Sequence, residues 1–169
     1  MPDTIAGIPA HPLIVHIPVV FIPLTLVIAI AAVAWRSRRR ELSLVALGAA
    51  LVGMLGAQLA TMSGESLQEQ IPGSPVIRDH AELGEGARTL AIIVFLAAAA
   101  FAAREFRDRF PRRAAGVARA AGRPAAAVAL SVVLLATSAA ATAWTVRAGH
   151  MGAKAAWHDV ASRDATAAR

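Results

Sequence analysis

Apolar positions gather in four long runs, Leu13 to Trp35, Leu42 to Met62, Leu90 to Ala103 and Ala125 to Val146, separated by polar or charged links. A helix rises about 1.5 Å per residue, so roughly 20 apolar residues cross the ~30 Å hydrocarbon core of a bilayer. Three of the runs reach that length unaided. The third borrows its first turns from the polar stretch before it: Asp79 with Glu82 three residues on has the form of a capping box, which predicts a helix start there and places His80 in the first turn. The predicted spans are then about 12–35, 42–63, 80–103 and 124–148 in one domain covering 1–169, followed by a short tail, 154–169, with Trp157 and Val160 on one side.

Within the spans, breakers and small residues refine the picture. Pro12 suits a first helical position and turns His11 away from helical geometry, so His11 reads as a cap or interface residue. Pro18 and Pro23 cannot donate to the carbonyls of Ile14 and Val19, which predicts a kink just below His16. The second span carries Ala49, Gly53 and Ala57 on one stripe and Gly56, Ala60 and Gly64 on another, a pattern that lets helix backbones approach closely where lipid offers no hydrophobic gain. Ser63-Gly64 is expected to end it. Ser138, Thr142, Thr145 and Gly149 repeat along the fourth span on a face expected to meet other helices or a ligand.

Composition agrees with a bilayer as solvent: 57% of the 169 residues are hydrophobic and 17% charged. The first apolar run is too long, and its leader too poor in basic residues, for a signal peptide, so it is expected to remain as a span. A net charge of +6 would suit nucleic acid, but the charges segregate by loop instead of forming a binding face. Arg36, Arg38, Arg39 and Arg40 follow the first span; Arg104, Arg107, Arg109, Arg112, Arg113, Arg119 and Arg123 follow the third. These are eleven of the seventeen basic residues, and the positive-inside rule makes both loops cytoplasmic. The fold class expected is therefore all-α: an integral membrane, antiparallel four-helix bundle of the cytoplasmic membrane, N-out and C-out, with eight of the eleven acidic residues outside.

Histidine placement carries the candidate chemistry. All five, His11, His16, His80, His150 and His158, fall on the outer side, and His16, His80 and His150 belong to three different helices near one depth. Neutral imidazole is a ligand for haem iron, copper or zinc, and bundles build such sites from facing helices. His11 and His16 cannot share one regular helix face, since five residues turn the direction by about 140°; His16 is the expected ligand. Haem b is preferred to a bare ion, because two axial imidazoles suffice for it and no carboxylate lies clearly inside the apolar zone. Gly84 leaves room for a porphyrin, and Arg88 and Arg147 are placed to meet its propionates. Copper, zinc or non-haem iron on His16, His80, His150 and His11, with Met62, Met151 or Glu65, is the alternative.

Cysteine is absent, which removes disulfides, thiolate metal sites, iron–sulfur clusters and cysteine nucleophiles. Nor is there a Walker loop, a nucleophile elbow, a zinc-protease motif or a pair of carboxylates in an apolar span. The expected role is electron transfer or redox sensing more than stand-alone catalysis. A third reading is a non-catalytic subunit that packs through its small-residue stripes against a respiratory or transport partner, or against another copy of itself.

Four motifs align with a known pattern: His-Pro-Leu-Ile-Val-His-Ile-Pro (His11 to Pro18) opening the first span, Ser-Gly-Glu (Ser63 to Glu65) closing the second, His80 opening the third, and Gly-His-Met-Gly-Ala (Gly149 to Ala153) with Trp157 closing the fourth. In these the chain resembles the bacterial four-helix membrane family catalogued as domain of unknown function 2231. It departs from that pattern at Ile17, where an aromatic is usual, and at Ser63 or Ala148, where threonine is. The resemblance implies the four-helix architecture and the choice of His16, His80 and His150.

Overall fold

The structure, a computed structural model, describes residues 4–70, 73–107 and 124–167, without the side chains of residue 5 and of residues 158–167. A small hairpin comes first, β1 (Thr4–Ile5) and β2 (Ile8–Pro9), closed by Ala6 and Gly7, both at positive φ. Two successive positive φ values give a turn whose twist matches paired strands. The helices follow: α1 (Ala10–Ile14), α2 (His16–Ala34), a 3-10 turn (Arg36–Arg38), α3 (Arg39–Gln68), α4 (Pro75–Glu105) and α5 (Pro124–Ala167). Four segments are long and apolar enough to cross a membrane: Ala10–Ala34, Arg36–Gln68, Pro75–Glu105 and Pro124–Trp157.

The helix ends differ from the sequence expectations in ways that matter for the histidines. The first span begins at Ala10, not Pro12, so His11 is helical and Pro12 occupies the first turn, where its missing donor costs nothing. The break falls at Val15, between α1 and α2, where Pro18 cannot donate to the Ile14 carbonyl. The second span runs past Ser63-Gly64 to Gln68. The third starts at Pro75, with Ser74 as the N-cap in place of Asp79; the Ser74 hydroxyl accepts from the Ile77 amide at 3.3 Å. The fourth span starts at Pro124 as expected, and the same helix absorbs most of the tail.

Side-chain size sorts by face. Ala29, Ala32, Ala46 and Ala141 are fully buried, while Val27, Leu96, Val128 and Val146 lie outward. Lipid rewards such inversion, because large apolar groups lose nothing in hydrocarbon and small ones let backbones close together. The largest buried side chains, Phe101 and Leu134, fill the space those alanines leave. Gly53 lies against Ile22 and Gly56 against Ile17, while His11 sits on Gly64; residue numbers fall along α3 as they rise along the first span, so the two run antiparallel. The first span packs against α3 and α5, and α4 packs against the same two. The first and third spans are thus diagonal across the bundle.

At the arginine end, Arg39 closes α2 by donating to the carbonyls of Ala32 and Val33, each at 3.1 Å, with its guanidinium over the Phe101 ring. Arg39 therefore caps a helix. Arg109, Arg112, Arg113, Arg119 and Arg123 lie outside the described residues.

Candidate metal centre

At the opposite end of the bundle, two histidines from the diagonal spans meet. His11 lies on α1, and its Nδ1 is 3.0 Å from the Ala60 carbonyl and 3.2 Å from the Ser63 hydroxyl, both on α3. His80 lies on α4, and its Nδ1 is 3.0 Å from the Ala148 carbonyl on α5. A carbonyl only accepts, so each Nδ1 carries a proton and donates, and in the neutral imidazole Nε2 then keeps its lone pair. That is the tautomer in which metal-binding imidazoles are commonly held by a second shell.

Both rings rest on glycine. A Cβ on Gly64 would come within 3.1 Å of His11 Cε1, and one on Gly152 within 2.9 Å of His80 Cε1. The ring centroids are 6.0 Å apart, with planes at 75°. With metal–nitrogen bonds of about 2.0 Å, two imidazoles on one centre have centroids about 5 Å apart at a tetrahedral angle and about 6.3 Å apart when opposed. The observed spacing and angle are those of an edge-to-face ring pair, and the spacing also lies near the opposed value.

The other sequence candidates lie elsewhere. His16 is exposed, and its Nδ1 faces the Leu13 carbonyl of its own chain turn at 3.3 Å. His150 is exposed and borders a groove of about 740 Å³ on the outside of α4 and α5, with Asp79, Glu82, Trp144, Arg147 and Met151. Arg147 stacks on the Trp144 ring at 5.4 Å, and Trp144 Nε1 donates to the Leu83 carbonyl at 3.0 Å. Arg88 and Gly84 are half-buried on α4, and nothing stands within 4 Å of where a Gly84 Cβ would be. Met62 and Glu65 are exposed on α3. His158 falls among the side chains outside the description. The structure therefore brings His80 together with His11, and leaves His16 and His150 apart from them.

Sequence reasoning ranks His11 behind His16 and keeps it only in the alternative metal set, because Pro12 argues against helical geometry at the residue before it. Tertiary packing overrides that local preference, since an imidazole bonded to the Ala60 carbonyl fixes the start of the helix. A signal was present: Ala60 and Gly64 offer a carbonyl and an open backbone one turn apart, and Ala148 and Gly152 repeat the arrangement. Among the described residues no three of His, Cys, Asp and Glu converge on one point.

Four long apolar helices around an interior of alanine and glycine, with valine and leucine turned outward, define a multi-span membrane protein. The chain belongs to the family called domain of unknown function 2231, described as a predicted membrane protein, whose model matches residues 7–164. No curated protein and no solved structure gives a significant match.

Proposed function

We propose that this chain is a membrane metalloprotein that holds one redox centre between His11 and His80 and passes single electrons at the outer face of the membrane. The observation that carries the reading is the converging pair itself. Two imidazoles from diagonal helices are each pinned through Nδ1 to a carbonyl of a neighbouring helix, with both Nε2 atoms unengaged by those bonds and the ring centroids 6.0 Å apart. Haem b is the centre this donor set suits, because its iron needs only two axial imidazoles and the described residues bring no third His, Cys, Asp or Glu to the point. When bound, haem supplies a one-electron couple; the electron comes from a one-electron donor and leaves to a one-electron acceptor, with both imidazoles retained.

The arginine-rich loops support an N-out orientation, which sets this centre under the external headgroups. Copper(I) is the second reading, favoured by the tight seating of both rings against glycine, since a bare ion needs no slot for a macrocycle. Oxidised and dithionite-reduced spectra of the purified protein, with metal quantitation, decide between them. A Soret band with one iron per chain supports haem; one copper per chain without porphyrin absorption supports the second reading. Neither metal, in protein expressed with both supplied, refutes the proposal.

A further inference from the structure

The two histidine seats are built alike, and the likeness extends through the whole bundle. In α2 the buried positions are Pro18, Ile22, Thr25, Ala29 and Ala32. Shifted by 69 residues (18 to 87), they become Ala87, Ala91, Val94, Ala98 and Phe101, every one buried in α4. The buried residues of α5 are Ser131, Leu134, Ser138, Ala141, Thr145 and Ala148. Shifted back by 88 (131 to 43), they become Ser43, Ala46, Ala50, Gly53, Ala57 and Ala60, every one buried in α3.

These shifts were not free to choose. The first also carries His11 to His80; the second also carries Ala60 to Ala148 and Gly64 to Gly152. An error of one residue would turn each helix by about 100° and destroy the burial match. The larger second shift reflects a longer connection within the second helix pair. One contact even reverses its partners between the copies. Ile17 packs into the notch at Gly56 in the first pair; at the corresponding positions of the second, Trp144 packs into the notch at Gly86.

We infer that the chain is two copies of one helix hairpin about a two-fold axis between His11 and His80, and that the copies present these imidazoles as equivalent donors that would hold a single centre between them. Gly64 and Gly152 are then paired positioning residues, each setting the ring above it. A haem held by both imidazoles would have no coordination position left open to a gas or substrate. The metal rests on the function proposed above; the duplicated seats do not.

Two measurements on the full chain keep those failures separate. Carbon monoxide added to the dithionite-reduced haem protein is expected to leave the spectrum unchanged, and a shifted Soret band would overturn the axial assignment. Nitrogen-15 NMR of the imidazoles without metal is expected to show His11 and His80 both protonated at Nδ1. Gly64→Ala should then perturb His11 and spare His80, with Gly152→Ala doing the converse to a similar extent. Should the two imidazoles adopt different tautomers in the unsubstituted protein, or should one glycine variant displace its ring while the other leaves both in place, the equivalence of the seats is wrong even if metal is bound.

Discussion

The notch at Gly86 offers a sharp test of how the second helix pair is held together. A Cβ there would fall well inside van der Waals contact of Trp144 Nε1 and 2.8 Å from Cε2, so Gly86→Ala must push the indole away. Displacing it breaks the hydrogen bond to the Leu83 carbonyl, which is worth about 1 kcal/mol, and adds overpacking of about 1–3 kcal/mol. Offset by a helix-propensity gain of up to about 1 kcal/mol, Gly86→Ala should therefore cost roughly 1–3 kcal/mol with Trp144 in place. In a Trp144→Ala background the clash is gone, and the same substitution should gain up to about 1 kcal/mol from helix propensity. The propensity gain is common to both backgrounds and cancels, so the coupling across the double-mutant cycle is about 2–4 kcal/mol, far above the scatter expected for independent sites. Reversible unfolding in mixed micelles, followed by near-ultraviolet circular dichroism, measures all four corners. A Gly86→Ala variant that is neutral or stabilised with Trp144 present would refute the packing argument.

Other outcomes follow from particular side chains. His11→Ala and His80→Ala should each abolish the metal centre, whereas His16→Ala and His150→Ala should leave it in place, as read by the absorption spectrum of each variant. Thr145 Oγ1 is buried without a hydrogen-bond partner, so the isosteric Thr145→Val should stabilise the bundle by about 1–3 kcal/mol in the same unfolding assay. Ser74→Ala removes the cap that accepts from Ile77 and should cost about 1 kcal/mol, seen as faster amide exchange in the first turn of α4. Gly48→Ala meets nothing within 4 Å and should be neutral or stabilising, whereas Gly56→Leu, driven into Ile17 and Pro18, should prevent assembly on size exclusion.

The four spans were legible because hydrocarbon thickness imposes a length, and four apolar runs meet it, the third once its polar first turns are counted. The helix starts were less so. Asp79 and Glu82 satisfy the capping-box spacing, yet Ser74 followed by Pro75 takes the cap, because proline at the first helical position fits whether or not a better acidic pair lies downstream. One end of the bundle and His80 were legible in the sequence, but not the pairing of His80 with His11. Local geometry at Pro12 argued against His11, and only the seat formed by Ala60, Ser63 and Gly64 on another helix reverses that choice. His16 and His150 satisfied the requirement of common depth while facing outward, since depth is readable from position in a span and rotation about the helix axis is not once a break at Val15 intervenes. The internal repeat escaped notice because alanine and glycine dominate both copies, and it emerges from which positions are buried more than from which residues fill them.

One metal ion per chain, bound by two imidazoles, is the property on which the proposed function depends. Metal content and absorption of the purified protein, set beside those of the His11→Ala/His80→Ala double variant of equal thermal stability, read this most directly. One equivalent of iron or copper in the former and none in the latter is the result predicted. Equal metal in both, or a well-folded unsubstituted protein that takes up neither, would contradict it.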